Sequence, residues 1–189
     1  MVEFDTLGAQ EDRATVSSSG DTLARTIEGV IVRRPVVHVD HRGRLFEVVN
    51  QDEQFWEQPV VHGYVFTIRA STLKGWGVHE RKSDRYCLIS GETMTLLYDA
   101  RADSPTRGLV QEVALSPEGD RMVLIPPGVW HLSINTAPHE TVLINHPTEA
   151  YDYQSPDRLT LPWHTDQIPV DVSKYFPRQM AGMDPSPQR

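Results

Sequence analysis

The stretch Met122-Val123-Leu124-Ile125-Pro126-Pro127-Gly128-Val129-Trp130-His131-Leu132-Ser133-Ile134-Asn135 joins two short apolar runs through a turn. Proline fixes the backbone φ angle and glycine supplies the conformationally permissive position, so Pro126-Pro127-Gly128 is typical of a tight turn. The flanking runs, Met122–Ile125 and His131–Asn135, are short and show no sustained 3.6-residue apolar period. The stretch therefore predicts two β-strands, with His131 leaving a turn that has a stiff backbone.

The same pattern recurs along the chain, which predicts an all-β protein. Further short runs rich in β-branched or apolar residues are Val30–Val39, Leu45–Val49, Val60–Ile68, Tyr86–Ile89, Thr93–Tyr98, Val110–Leu115 and Thr141–Asn145. Many short strands without alternating helices favour a sandwich or barrel, and a double-sheet jelly roll suits one domain of 189 residues. We expect this domain to span residues 28–176, between a polar N-terminal tail (1–27) and a C-terminal tail (177–189).

Composition excludes several classes of partner. The chain has 18 Lys plus Arg against 26 Asp plus Glu, a net charge of −8, and no basic block, so we expect no nucleic-acid partner. No stretch approaches the roughly 20 consecutive apolar residues of a membrane helix, so we expect no membrane partner. The single cysteine, Cys87, lies in an apolar run and is expected in the core. A single cysteine, together with an N-terminus that does not resemble a signal peptide, favours a cytoplasmic location.

Two of the eight histidines lie in patterned positions. His131 belongs to a P-x-G-x-x-H-x-x-x-N segment, and His79 is followed by Asp84 and then by Gly91. These segments resemble the two sequence motifs of cupins, a family of jelly-roll proteins. In that pattern Gly77 stands where the first histidine belongs, and Asp84 replaces a glutamate.

A closer resemblance, over residues 36–165, is to dTDP-4-dehydrorhamnose 3,5-epimerases. Three segments carry it: Asp40-His41-Arg42-Gly43-Arg44-Leu45-Phe46-Glu47, Asp99-Ala100-Arg101-Ala102-Asp103-Ser104-Pro105-Thr106-Arg107-Gly108, and the P-x-G-x-x-H segment. The resemblance implies a jelly-roll homodimer without a cofactor that takes a nucleotide sugar as its small-molecule substrate. It also implies that Arg42 and Glu47 contact the nucleotide, whereas an ion pair between them on adjacent strands is the structural alternative. We interpret the second segment as a structural turn.

The chain departs from this family at both positions that carry proton transfer. Epimerisation beside a ketone needs a base, an acid on the other face of the sugar ring, and donors to the enolate oxygen. The family's base is the histidine of an R-G-L-H segment, which here reads Lys74-Gly75-Trp76-Gly77. The family's acid is a tyrosine thirteen residues after the P-x-G-x-x-H histidine, a position occupied here by Ile144.

Other residues can supply these functions. On a strand from Lys74 to His79, Gly77 and His79 would face the same side, about 7 Å apart, so we expect His79 to act as the base. The remaining candidates are Lys74 and His131 as donors to the oxyanion, Tyr151 or Tyr153 as the acid, and Trp76 and Trp130 as pocket walls against the sugar or base.

These considerations favour an isomerase or epimerase that acts beside the carbonyl of a nucleotide-activated 4-keto-6-deoxy sugar. One alternative is a metal-dependent cupin, because His79, Asp84 and His131 form the two-histidine, one-carboxylate set found in non-haem iron enzymes. Another is a divergent cupin that binds or transforms a non-sugar biosynthetic intermediate.

Overall fold

The computed structural model describes residues 5–11, 14–20, 23–50 and 53–175. Within them the chain forms two short 3-10 helices, Gln54–Trp56 and Val172–Tyr175, and twelve strands: β1 (Ile31–Arg33), β2 (Val37–Asp40), β3 (Gly43–Phe46), β4 (Tyr64–Ile68), β5 (Leu73–Val78), β6 (Asp84–Ser90), β7 (Thr93–Asp99), β8 (Val110–Leu115), β9 (Met122–Ile125), β10 (Val129–Asn135), β11 (Thr141–Asn145) and β12 (Leu159–Thr160). No helix in these ranges has the length and apolar character needed to span a membrane.

The strands form two five-stranded antiparallel sheets, which confirms the predicted all-β jelly roll. Sheet I has the strand order β1-β9-β6-β11-β4, and sheet II has the order β12-β5-β10-β7-β8. Strands β2 and β3 pair only with each other, as a separate hairpin. Three predicted runs coincide with β8, β9 and β11, whereas β12 had no counterpart among them.

The main hydrophobic core lies between the two sheets. It combines side chains of sheet I, such as Leu88, Val123 and Leu143, with side chains of sheet II, such as Leu97 and Leu115. These side chains alternate along their strands with residues of the opposite face, as the two-residue period of a strand requires. The polar residues that share the inward-facing positions are therefore held inside the sandwich.

The outer face of sheet II is covered by the chain that follows β12. Leu96, Leu132 and Ile134 point away from the inter-sheet core and pack against Ile168 and Val172. This second core attaches the C-terminal end of the described chain to the sandwich. The predicted C-terminal tail, residues 177–189, lies outside the described residues.

At the other end of the chain, the core includes Ile27, the last residue of the predicted N-terminal tail. Its side chain is 1% exposed, and its backbone N–H donates to Oε1 of Gln111 at 2.7 Å. The preceding described residues, including Leu23, are mostly exposed. Contact with the sandwich therefore extends back to Ile27.

The segment from Asp99 to Gly108 has the structural role that its sequence suggested. The carboxylate of Asp99 is fully buried and accepts hydrogen bonds from Arg101 (2.9 Å), Ser104 and Thr106 (2.7 Å). Burial alone would raise the pKa of Asp99, but these bonds outweigh it and hold the pKa well below its usual range. The carboxylate thus closes the loop between β7 and β8.

The turn before β10 requires glycine at position 128. Gly128 has a φ of +77°, and a Cβ added there would lie 2.5 Å from Cγ of Arg101. Its N–H donates to the carbonyl oxygen of His79 at 2.8 Å. The turn that begins the His131 strand is therefore tied directly to His79.

We expect Gly128→Ala to lower the free energy of unfolding by more than Gly108→Ala, measured by urea denaturation. Both positions have a positive φ, which costs a non-glycine residue about 1–3 kcal/mol, but only position 128 adds a collision with Arg101. A Cβ at position 108 has no neighbour within 4 Å. Equal losses for the two variants would contradict the close packing of the turn.

Candidate functional site

A buried carboxylate, that of Asp84, lies at the centre of a group of polar side chains between the sheets. Its Oδ2 atom lies 3.1 Å from Nε2 of His79, 3.2 Å from the hydroxyl of Tyr86 and 3.5 Å from Nε2 of His131. Its Oδ1 atom accepts a hydrogen bond of 2.7 Å from the side-chain amide of Asn145. We call these five residues the Asp84 cluster.

The strand pattern explains why these side chains meet. Asp84 and Tyr86 are two residues apart on β6 and therefore face the same side. Asn145 pairs with Tyr86 across the ladder between β6 and β11, and residues that pair directly share a face. His131, on β10, reaches the carboxylate from the opposite sheet, so the cluster bridges sheets I and II.

The partners of Asp84 keep it ionised at neutral pH. Burial raises the pKa of this carboxyl, since its side chain is only 2% exposed. The hydrogen bonds from His79 and Asn145, with the charge that the two histidine rings carry at low pH, outweigh burial and hold the pKa far below its usual range. The cluster therefore contains a buried anion.

His131 is held as a neutral ring with its basic nitrogen directed at the cluster. Its Nδ1 atom lies 3.2 Å from the carbonyl oxygen of Val129, and its Nε2 atom lies 3.5 Å from Oδ2 of Asp84; both neighbours are acceptors, and the shorter contact favours the tautomer with its proton on Nδ1. Burial lowers the pKa of His131 to about 4, although the Asp84 charge acts in the opposite direction. The ring is therefore neutral at pH 7, and in the tautomer with its proton on Nδ1 the Nε2 atom bears a lone pair. The expected role of His131 as a donor to an oxyanion does not fit this arrangement.

His79 is engaged through both of its ring nitrogens. Nδ1 makes a short contact with the carbonyl oxygen of Asp157, and Nε2 contacts the Asp84 carboxylate. Both ring nitrogens are therefore directed at oxygen atoms of the protein rather than at an open position. His79 lies just beyond β5, which ends at Val78, so the expected strand from Lys74 to His79 stops one residue short. The predicted role of a base is less suited to His79 than that of a fixed donor.

The loop after His79 is fixed by the side chain of Asp157. Its carboxylate accepts hydrogen bonds from the backbone N–H groups of Glu80 (2.9 Å), Arg81 (3.2 Å) and Lys82 (3.2 Å). Asp157 therefore organises both the loop, through its carboxylate, and the His79 ring, through its carbonyl oxygen.

Tyr64 extends the cluster toward its mouth and was not identified from the sequence. Its hydroxyl oxygen accepts a hydrogen bond of 2.9 Å from Asn145, so its own proton is free to point elsewhere. Burial and the Asp84 charge raise the pKa of Tyr64, which keeps the phenol protonated. Ile144, at the position of the family's acid, lies on the face of β11 opposite to the inward-facing Asn145.

Gly77 faces the cluster, as expected, and a second missed residue lies beside it. Gly77 pairs with His131, and a Cβ added to Gly77 would lie 3.5 Å from Nε2 of His131. The same Cβ would lie 3.4 Å from Nε and 3.6 Å from Nη2 of Arg158. No motif in the sequence marks Arg158, which reaches this point because β12 pairs with β5.

The other predicted catalytic residues lie outside the cluster. Lys74 is exposed and pairs with Ser133, further along the edge of sheet II. Tyr151 and Tyr153 are exposed, with ring centroids 4.9 Å apart. Lys82 Nζ lies 5.6 Å from the ring of Tyr151. None of the described hydrogen bonds of the cluster involves Lys74 or these two tyrosines.

The two predicted pocket tryptophans lie on the other side of sheet II. Trp76 is 1% exposed and belongs to the outer core, and Trp130 packs against the same core. The β-bulge between β5 and β10 places Gly75 opposite Leu132 and Gly77 opposite His131, which leaves Trp76 unpaired between them. The interpretation of these tryptophans as walls of the pocket is therefore corrected.

Arg42 and Glu47 lie on and just after the separate hairpin. Arg42 pairs with Asp40 at 2.5 Å, with its side chain 78% exposed, so the alternative of an Arg42–Glu47 ion pair is not observed. Glu47 accepts a hydrogen bond from Asn50 at 3.3 Å. No described contact joins either residue to the Asp84 cluster of the same chain.

The cluster has the elements of both acid–base and metal chemistry. It places a neutral imidazole, an ionised carboxylate and the protonated phenol of Tyr86 around one point between the sheets, and the phenol of Tyr64 lies next to them through Asn145. One ligand atom from each of His79, Asp84 and His131 also lies within 4.8 Å of the others. These three are the residues among those described that could hold a metal ion.

Comparisons with known proteins agree with this fold. The family model described as dTDP-4-dehydrorhamnose 3,5-epimerase matches residues 24–184. The probable low-salt glycan biosynthesis epimerase Agl13 of Haloferax volcanii is 32% identical over 138 residues, covering 72% of this chain and 88% of that protein. The spore coat polysaccharide biosynthesis protein SpsL of Bacillus subtilis is 28% identical over 152 residues, covering 79% and 99%.

Solved structures show the same architecture. A dTDP sugar isomerase from Desulfovibrio desulfuricans G20 superimposes with a TM-score of 0.72 at 22% identity, covering 85% of this chain and 96% of that one. A double mutant of ChmJ, a 3′-monoepimerase from Streptomyces bikiniensis, in complex with dTDP, gives a TM-score of 0.70 at 20% identity, covering 82% and 79%. At these identities the likeness is one of fold.

Proposed function

The chain belongs to the dTDP-4-dehydrorhamnose 3,5-epimerase family, and we propose from this premise that it epimerises or isomerises a nucleotide-activated 4-keto-6-deoxy sugar. The reaction is proton transfer at a carbon beside the ketone. The observation that carries the proposal is the Asp84 cluster, which sets a neutral imidazole on sheet II against protonated phenols on sheet I.

His131 is the base in this proposal. Its Nε2 atom has a lone pair at neutral pH, and the bond from Nδ1 to Val129 fixes the ring. Abstraction of a proton from the carbon makes His131 an imidazolium 3.5 Å from the Asp84 carboxylate. That anion stabilises the charge that forms on the ring, which is the electrostatic assistance a general base requires.

Tyr64 is the acid in this proposal. It lies on β4 of sheet I, so a sugar ring between the sheets would have His131 on one face and Tyr64 on the other. Its hydroxyl accepts from Asn145 and can therefore donate its proton to the enolate carbon. Tyr64 is 43% exposed, so its proton exchanges with solvent. It takes the role for which the more distant Tyr151 and Tyr153 were candidates.

Substrate binding would involve the rest of the molecule. We assign Lys74 to an anionic oxygen or phosphate of the substrate, because it is an exposed cation on β5, the strand that also carries Gly77. We propose a homodimer in which the β2–β3 hairpin lies in the interface, since Val39 and Leu45 on it are 75% and 63% exposed. Arg42 and Glu47 would then contact the nucleotide.

We also assign the protein to the cytoplasm. Cys87 is a free, buried thiol, and burial raises its pKa to about 11, so it is chemically inert. An unpaired cysteine suits a reducing compartment.

We expect the protein to introduce solvent deuterium at C3 or C5 of dTDP-4-keto-6-deoxyglucose in deuterated water, followed by mass spectrometry and NMR. His131→Gln should slow this exchange by about 10²–10⁴-fold because it removes the base. His164→Gln, which alters an exposed histidine beside Trp163, is the matched control and should exchange at the wild-type rate.

Exchange at an unchanged rate in His131→Gln would contradict the role of His131. Absence of exchange in the wild type would reject epimerisation of this substrate. That result would favour the alternative of a divergent cupin acting on a non-sugar intermediate.

A metal-dependent reaction at the same residues is the second candidate. Both histidines direct Nδ1 at a backbone carbonyl oxygen and Nε2 toward Asp84, which is the orientation of metal-binding histidines. A divalent ion held by His79, Asp84 and His131 would polarise the substrate carbonyl. The guanidinium of Arg158 beside His131 opposes a second cation at this point.

Elemental analysis of the purified protein separates the two candidates. The acid–base proposal predicts less than stoichiometric iron, zinc or manganese, and exchange activity that survives dialysis against a chelator. Stoichiometric metal, with activity that is lost on chelation and restored by the ion, would instead assign the three residues to metal binding.

A further inference from the structure

The space that a side chain at position 77 would fill is occupied by the guanidinium of Arg158. Nε and Nη2 of Arg158 lie 3.4 and 3.6 Å from a Cβ placed on Gly77, and Nε2 of His131 lies 3.5 Å from the same point. These are ordinary contact distances, so a methyl group fits there, whereas a longer side chain would have to displace the guanidinium. Gly77 and Arg158 therefore depend on each other.

The residues on both sides of Arg158 are held in place by hydrogen bonds to β5 and to the loop that follows it. The next two residues form β12, in which Leu159 pairs with Val78 and Thr160 with Gly77. The preceding residue, Asp157, is bound to the loop 80–82 through its carboxylate and to His79 through its carbonyl oxygen. The backbone on both sides of Arg158 is thus fixed against β5 and the loop that follows it.

The guanidinium has no hydrogen-bond or ion-pair partner within the described ranges 5–11, 14–20, 23–50 and 53–175. The nearest buried anion, Asp84, receives its hydrogen bonds from His79, Tyr86 and Asn145 instead. A guanidinium carries five N–H donors in a fixed plane. Because Arg158 is exposed, these donors are available to a ligand.

We propose that Arg158 binds the substrate oxygen that becomes anionic when His131 removes the proton, so that it stabilises the enolate. This inference rests on the proposed function and assigns the oxyanion donor within it. The donor and the base both lie close to the Cβ position of residue 77, so they are near enough to each other to act on a carbonyl oxygen and its neighbouring carbon in one substrate. Donors that are positioned before the reaction stabilise developing negative charge, and the anchored backbone on both sides of Arg158 holds the guanidinium near this point.

The proposal also gives a reason for a small residue at position 77. A side chain longer than a methyl group would displace the guanidinium, and the ring of His131, paired opposite Gly77, is the base beside it. The missing histidine at position 77 and the guanidinium of Arg158 beside that position are then one feature of the site's chemistry.

The test compares Arg158→Gln, Arg158→Lys and the control Arg107→Gln, an exposed arginine without a described contact to the cluster. In the deuterium-exchange assay we expect Arg158→Gln to lower kcat by about 10²–10³-fold, as for removal of an oxyanion donor. The Kd for dTDP, measured by calorimetry, should stay within about twofold of the wild type. Arg158→Lys should recover part of kcat because it keeps the charge but loses the planar fork.

A wild-type kcat in Arg158→Gln would overturn the proposal. A loss of dTDP affinity that accounts for the whole loss of kcat/KM would also overturn it, since Arg158 would then bind phosphate. The wild type is assayed beside the variants, so failure of the proposed function appears separately as absence of exchange in the wild type.

A binding experiment tests Arg158 without turnover. Oxalate, a planar dianion that mimics an enolate, is titrated into protein dialysed against a chelator. We expect the wild type and Arg107→Gln to bind it alike and Arg158→Gln to bind at least about tenfold more weakly, the loss of a charge-assisted pair. Equal binding by all three proteins, or no binding by the wild type, would contradict an anion site at Arg158.

Discussion

The carboxylate of Asp84 is an anion buried between two sheets, and the architecture of the pocket follows from the need to compensate it. An unpaired buried charge costs several kcal/mol, so such a group persists only when hydrogen bonds and nearby positive charge surround it. Here His79 and His131 come from the sheet II side, and Tyr86 and Asn145 come from sheet I. One carboxylate therefore fixes the relative positions of groups from both sheets.

The two histidines that surround this carboxylate differ in what their ring nitrogens contact. His79 is saturated by two acceptors and serves to hold the carboxylate, whereas His131 keeps a lone pair directed at the same point. Asn145 transmits the constraint to Tyr64 by donating to both the carboxylate and the phenol. The base and the acid that we propose, with the groups that orient them, thus surround one buried charge, on a scaffold that the chain shares with sugar-nucleotide epimerases.

Much of the fold and part of the site could be predicted from the sequence. Strands such as β8, β9 and β11 are continuous apolar runs bounded by turn residues, and His131 was identified because a Pro-Pro-Gly turn precedes it. The strand β5 was harder to identify because its Gly75 and Gly77 carry no side-chain pattern. Its bulge also turns Trp76 outward, which simple alternation does not predict.

The residues that were missed depend on tertiary contacts. Tyr64 and Asn145 are placed by the pairing of β4 with β11, and Arg158 is placed by the pairing of β12 with β5. No local spacing encodes these pairings. The orientations of the His79 and His131 rings could not be predicted for a similar reason, because Nδ1 of each ring contacts a backbone carbonyl oxygen that the sequence does not reveal.

The central claim, that a buried anion and backbone carbonyls set the state of His131, is tested most directly by ¹⁵N NMR of the histidine rings at pH 7, with His131→Gln used to assign the signals. We predict that His131 is neutral, with its proton on Nδ1, and that it takes up a second proton only as the pH falls toward about 4. A doubly protonated ring at pH 7, or a neutral ring with its proton on Nε2, would contradict this claim.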